Sequence, residues 1–329
     1  MTPSMKTPAS TAALALALLL PRPMTALPPP AMPSETRISR AEYHGWPDAV
    51  RLSNGIVETI VVPSVGRVMQ FHFSGDGGGP FWENRAADGK PPAPDAQGWA
   101  NYGGDKVWPA PQAAWPRIAG RGWPPPAGFD GRPAEVETGG GGVTLVFPED
   151  PAYGLRVRRR ITLAPERPVM TITTTFEKLS GPPVEAGIWT ITQAREPVAV
   201  DVELPRAAPG LPYVALGGYA PPVVRTRAGS ISLSRDPAAN HKIGLRAGTI
   251  RWVGRGLELR LDTELDSNAS YPDQGSAAEI YTNADPLPYV ELELLGPLAT
   301  MKAGDRIEQT VTYTLSRRRE GAVRRLAAP

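Results

Sequence analysis

"VMTITTTFE", Val169 to Glu177, alternates without a break: Met170, Ile172, Thr174 and Phe176 fall on one side, Val169, Thr171, Thr173 and Thr175 on the other. Strand side chains point to opposite faces with period 2, and β-branched residues suit the extended backbone, so the stretch is a strand with one buried face. The preceding LRVRRRITL (155–163) follows the same rule. Arg156, Arg158 and Arg160 take one side and Leu155, Val157, Arg159 and Ile161 the other, which puts the three arginines on an open face. Working outward, strands are predicted at 56–62, 67–73, 143–147, 186–194, 199–204, 230–234, 250–254, 257–265, 278–283, 289–295 and 306–315, nearly all separated by turn residues. No window of a dozen residues shows the i, i+3, i+4 spacing of a helix. So many short alternating strands call for antiparallel pairing with one face buried, and the predicted fold class is all-β, a large antiparallel β-sandwich. The 39 prolines and 34 glycines, more than a fifth of the 329 residues, fit a chain of strands and turns.

The ends read differently. Lys6 precedes an apolar run from Ala12 to Leu20, followed by Pro21-Arg22-Pro23 and small residues, the pattern of a secretory signal peptide cleaved after Ala26 or Ala31. The run is about half of the ~20 residues that span a bilayer, so no membrane span is expected once it is removed. The expected organisation is leader 1–31, one domain over 36–320 and a tail at 321–329, with the mature chain periplasmic or secreted and monomeric. The absence of cysteine excludes disulfides and thiol chemistry. The formal charge of +2 rests on Lys6 and Arg22 of the leader, so the mature chain is balanced and lacks the basic footprint of a nucleic-acid binder.

Residues 74–142 break the strand pattern. They hold Gly77-Gly78-Gly79, Pro91-Pro92, Pro124-Pro125-Pro126, four glycines at 139–142, and Trp82, Trp99, Trp108, Trp115 and Trp123, five of the eight tryptophans. Loops this long are functional or disordered, and disordered segments are poor in aromatics. Within the span, NYGGDKVWPAPQAAWP (101–116) shows neither helical nor strand periodicity and reads as a rigid binding loop. Indoles cover the apolar C–H face of a sugar ring while polar groups bond its hydroxyl rim, so Asn101, Asp105, Lys106 and Gln112 around Trp108 and Trp115 make a candidate carbohydrate site. The structural alternative is that these tryptophans cap one end of the sandwich as a satellite core.

Carboxylates come next. In YVELELLGP, Glu291 and Glu293 share one face of their strand, ~7 Å apart, a spacing open to an acid–base pair and equally to the polar side of an ordinary amphipathic strand. YPDQGSAAEIYTN adds Tyr271, Asp273, Gln274, Glu279, Tyr281 and Asn283 on a loop leading into a strand. The three histidines, His44, His72 and His241, show no ligand spacing, so no metal is expected. His72 reads as a polar-face residue and His241 as a loop residue beside Lys242. With no phosphate-cradling or dinucleotide glycine motif and no nucleophile elbow, phosphoryl, hydride and serine-hydrolase chemistry lose support, and no cofactor is expected.

Two terminal stretches resemble a known family. NGIVETIVVPSVGRVMQFHFSGDGGGPFWEN (54–84) resembles the opening of aldose 1-epimerases, and YVELELLGPLATMKAGDRIEQTVTYTL (289–315) resembles their ending. Between them, GGDKVWPAPQ and IWTITQ are similar to a bacterial branch, domain-of-unknown-function family 4380. The resemblance implies a galactose mutarotase-like supersandwich whose concave face binds carbohydrate. It also implies a late-strand glutamate as base, matched by Glu293 with Glu291 as the register alternative. Where those enzymes carry an Asn-His motif this chain has Trp189-Thr190-Ile191-Thr192-Gln193, and a second histidine motif is replaced by Gly103-Gly104-Asp105-Lys106, leaving Lys106 or His241 as stand-in acids. The leading expectation is an exported carbohydrate-binding protein with Asp105, Lys106, Trp108, Trp115, Trp189, Gln193 and Glu293 around one pocket. The alternatives are an epimerase or polysaccharide-processing enzyme using Glu293, and a non-catalytic envelope module that docks a protein partner.

Overall fold

The computed structural model describes Met1 and residues 35–92, 99–130, 132–205, 212–227 and 229–318. Apart from Met1, the expected leader and the tail at 321–329 lie outside the described residues. In chain order the strands are β1 (Arg37–Tyr43), β2 (Trp46–Ser53), β3 (Val57–Val62), β4 (Arg67–Phe73), β5 (Asp105–Ala110), β6 (Glu135–Gly139) and β7 (Gly142–Val146). They continue as β8 (Leu155–Leu163), β9 (Val169–Lys178), β10 (Val184–Arg195), β11 (Ala199–Glu203), β12 (Val214–Ala215), β13 (Val224–Arg227) and β14 (Ser230–Leu233). The last seven are β15 (His241–Leu245), β16 (Thr249–Val253), β17 (Leu257–Asp262), β18 (Ala278–Thr282), β19 (Tyr289–Leu295), β20 (Ala299–Met301) and β21 (Arg306–Arg317).

Two antiparallel sheets result, as the alternation requires. The larger runs β1-β2-β3-β4-β5-β10-β19-β18-β15-β12, with β20 joined to one end of β10. The other runs β13-β14-β11-β16-β17-β21-β9-β8-β7-β6. The strand that decided the reading behaves as its pattern dictates: Met170, Ile172, Thr174 and Phe176 are buried and their neighbours half-exposed. Removing each such large apolar side chain from water stabilises the fold by about 1.5–3 kcal/mol. Arg156, Arg158 and Arg160 look outward, to Glu177, Glu137 and the carbonyls of Gly139 and Gly140.

All thirteen predicted strands are present. The sequence reading missed others, above all β5, which lies at the centre of the larger sheet inside the supposed loop and is buried at all six positions. A strand covered on both faces has no polar side, so alternation cannot reveal it. The glycine run at 139–142 is the β6–β7 hairpin turn, with Gly140 and Gly141 both at positive φ, as a tight two-residue turn needs.

Candidate functional site

Register assigns the two faces of the larger sheet. Along β10 and β5, Trp189 pairs with Trp108 and Ile191 with Lys106, while Thr190 pairs with Val107 and Thr192 with Asp105. The second row faces the partner sheet: Thr190 Oγ1 donates to Gln309 Oε1 (3.1 Å), and Asp105 meets Arg159 of β8 and Tyr313 of β21. The first row therefore lies on the outer face. Extending it through β19 and β18, Glu291 pairs with Gln193 and Tyr281, and Glu293 with Ile191 and Glu279. Lys242 of β15 pairs with Tyr281 and completes the row. Five adjacent strands thus bring Lys106, Trp108, Trp189, Gln193, Glu291, Glu293, Glu279, Tyr281 and Lys242 onto one patch.

The charges are paired. Lys106 Nζ donates to Glu291 Oε1 at 3.0 Å, an oxygen that also accepts from Gln193 Nε2 at 2.9 Å. Lys242 Nζ lies 2.7 Å from Glu279 Oε2 and donates to Glu293 Oε2 at 3.0 Å, which further accepts from the indole Nε1 of Trp189 at 2.7 Å. Burial pushes the carboxyls of Glu279 and Glu293 above the usual carboxylate range; Lys242 opposes the rise, and a neighbouring carboxylate, Glu293 for Glu279 and Glu291 for Glu293, adds to it. Burial also works against the Lys242 ammonium, but Glu293 and Glu279 together outweigh it and its pKa rises. Lys106 moves the other way: burial lowers its pKa and Glu291 only partly restores it.

An aromatic cover adjoins the charges. Trp108 lies edge-on to Trp189 (5.3 Å), Trp115 (5.7 Å) and Trp123 (5.7 Å), and Trp99 packs against Trp108 and Trp123. Asp130 fixes two of these rings, accepting from Trp99 Nε1 (3.0 Å) and Trp108 Nε1 (2.9 Å) while Arg67 binds both its oxygens. Trp82 lies against Tyr289 (4.6 Å), and Tyr289 leads on to Tyr281 (6.3 Å). The glycine pair has its own cause. A Cβ on Gly103 would sit 2.3 Å from the Trp82 carbonyl oxygen and one on Gly104 2.6 Å from that of Val68, both at positive φ. Only glycine permits that crossing.

Several expected site residues are elsewhere. Asp105 faces the core between the sheets, where Arg159, Thr192 Oγ1 (2.6 Å) and Tyr313 Oη (2.7 Å) bind it, so it does not line the outer patch. His241 opens a strand instead of lying on a loop. Its ring meets the Ala220 carbonyl oxygen (2.6 Å) and Asp236 (3.3 Å) on the side away from Lys242, and it is no stand-in acid for Glu293. Trp115 is fully buried, its Nε1 donating to the Pro109 carbonyl oxygen (2.8 Å), and serves as packing behind Trp108 and Trp189. Gln112 donates to the Gly122 carbonyl oxygen at 3.4 Å within that cover. Asn101 borders Tyr289 at the rim. Tyr271 Oη accepts from the Asp266 amide (3.0 Å) under Arg246, while Asp273 borders Glu279 and adds to the rise of its pKa.

The sequence reading named Glu279 and Tyr281 only as part of a loop cluster apart from the expected pocket, and it did not single out Lys242, Tyr289 or Asp130. Alternation in HKIGL could have found the lysine: Ile243 and Leu245 share the face of His241, which makes Lys242 the outward residue. Asp130, on a turn after the proline run, carries no sequence signal.

The fold has counterparts among solved structures. A galactose mutarotase-like protein from Lactobacillus casei aligns with a TM-score of 0.55 at 8% identity, covering 82% of this chain and 100% of that one. The Slr1438 protein of Synechocystis sp. PCC 6803 aligns with a TM-score of 0.52 at 11% identity, covering 82% and 95%. A "putative aldose 1-epimerase" from Escherichia coli K12 aligns with a TM-score of 0.50 at 14% identity, covering 81% and 98%. The architecture is the galactose mutarotase-like supersandwich. No family model matches the chain, and no curated protein does.

Proposed function

We propose that this protein binds carbohydrate on the outer face of its larger sheet, across β5, β10, β19, β18 and β15. One observation carries the reading: on that face Oε1 of Glu293 and Oε1 of Gln193, in side chains with 0% exposure, meet no donor from the protein. Buried polar atoms are satisfied in folded proteins, so these oxygens call for hydroxyl or amine donors brought from outside. Indole and phenol rings beside them offer the flat apolar surface that a sugar face covers. The narrower kinship with domain-of-unknown-function family 4380 rests on GGDKVWPAPQ and IWTITQ, and export on the leader pattern. Tryptophan fluorescence titrated with a panel of mono- and oligosaccharides tests the binding. Saturable change is expected, weakened at least tenfold in Gln193→Ala; a silent panel overturns the reading.

A second reading is favoured by Lys106. An aldose 1-epimerase needs an acid opposite its glutamate base, and the indole of Trp189 cannot titrate. A buried lysine with lowered pKa can. Polarimetry on freshly dissolved α-galactose tests it: catalysis predicts a rate above buffer that falls in Glu293→Gln and in Lys106→Met.

A further inference from the structure

Two lysines in a sugar site suggest an acidic sugar as ligand, and the contacts argue the reverse. Lys106 is held by Glu291, with its ammonium 4.7 Å from the Trp108 ring centroid and 5.6 Å from that of Trp99. Lys242 is held by Glu279 and Glu293, with its ammonium 4.6 Å from the Trp189 ring centroid. Each cation is thus neutralised by carboxylate and flanked by indole, which itself stabilises a cation. Neither carries the unmatched positive charge that would draw a carboxylate or phosphate.

The atoms left over are of one kind. Oε1 of Glu279, Oε1 of Glu293 and Oε1 of Gln193 are unpartnered acceptors on fully buried side chains, whereas among the described residues each donor nitrogen of the patch has at least one acceptor. The charge is likewise one-sided. Glu279, Glu291 and Glu293 stand against Lys106 and Lys242, one negative charge in excess, and Asp273 borders the same cluster. A buried uncompensated charge is costly and is met by a proton or by a cation. With no ligand, protonation of one of these carboxyls answers it. An incoming ammonium answers it better, because it brings both the missing charge and up to three donors to oxygens that lack them.

Resting on the carbohydrate reading above, we infer that the ligand is an amine-bearing sugar, a hexosamine unit with its nitrogen unsubstituted, whose ammonium sits against Glu279 and Glu293. A free amine is then required: acetylation of the nitrogen removes the charge, and a carboxylate on the ring places like charge against the cluster.

Isothermal titration of the full chain at neutral pH with glucosamine, N-acetylglucosamine, glucose and glucuronate tests this. Glucosamine is expected to bind at least tenfold tighter than glucose and N-acetylglucosamine, with glucuronate weakest, and Glu279→Gln is expected to bring the glucosamine-to-glucose ratio close to one. Equal binding of glucose and glucosamine, or tighter binding of glucuronate, overturns the inference while leaving carbohydrate binding standing. Silence from all four sugars and from their oligomers overturns both. The wild-type series decides even if the variant does not fold.

Discussion

Replacing Asp105 by alanine separates a structural role from a ligand role. Its carboxylate accepts from Arg159, Thr192 and Tyr313, and Arg159 is fully buried. Without the carboxylate that guanidinium keeps only the Asp105 backbone carbonyl, at 3.2 Å. Stranding one partner of a buried ion pair costs about 3–5 kcal/mol. The two hydroxyls each lose a bond worth about 1 kcal/mol, but network members do not add, so a total near 4 kcal/mol is expected. At about 2–4 °C per kcal/mol for a domain of this order, the melting temperature falls by roughly 8–16 °C. Asp105→Asn keeps an acceptor and loses only the charge, and belongs between the two. Urea unfolding followed by far-UV circular dichroism measures the loss, with Glu137→Gln, in the exposed pair with Arg158, as a comparison that changes little. Asp105→Ala losing less than about 1 kcal/mol, or losing sugar response at unchanged stability, refutes the argument and restores Asp105 as a ligand residue.

The tryptophan cover and the acid cluster make their own predictions. Asp130→Ala leaves Arg67 buried without its partner and frees two indole N–H groups, so it should cost about 3–5 kcal/mol and shift tryptophan emission to longer wavelength; an unchanged spectrum would count against it. Because the folded-state pKa of Glu279 is raised, its contribution to stability is complete below the unfolded value of about 4.3 and is lost as pH rises through the folded value. The urea midpoint of the parent should therefore decline across that window, and Glu279→Gln should flatten the decline; identical slopes would contradict the burial argument. Gly104→Ala meets both a left-handed backbone and the Val68 carbonyl oxygen, and should lower stability by about 2 kcal/mol or more in the same measurement.

How far the sequence could be read follows from what each segment touches. Strands with one dry and one wet face, such as β9 and β8, announce themselves because period 2 is written in their polarity. β5 does not, since Asp105 and Val107 enter the space between the sheets while Lys106 and Trp108 lie under the tryptophan cover. Both polar residues of that strand are ion-paired, so their polarity points to buried charge and not to solvent. The same ambiguity misplaced Asp105: adjacent in sequence to Lys106, it looked like a second site residue, although neighbours on a strand must part to opposite faces. Glu291 and Glu293, two apart, come out together as that rule demands. The partnership of Glu293 with Lys242 and Glu279 was not legible, because it depends on which strands become neighbours.

That strand order also constrains any catalysis. Lys106 and Glu293 stand on β5 and β19 with β10 between them, so their backbones are ~10 Å apart, a gap that a sugar ring can fill. Each already bonds a closer partner, Lys106 to Glu291 and Glu293 to Lys242, and an acid neutralised by its own carboxylate gives up its proton only when a ligand displaces that contact. Turnover would then require the ligand to separate Lys106 from Glu291. Lys106→Met should in that case bring the mutarotation of fresh α-galactose down to the rate in buffer while sparing the fold, since it removes a charge that burial disfavours and leaves Glu291 partly in contact with water. A rate equal to buffer for both parent and variant would assign the paired charges to recognition alone.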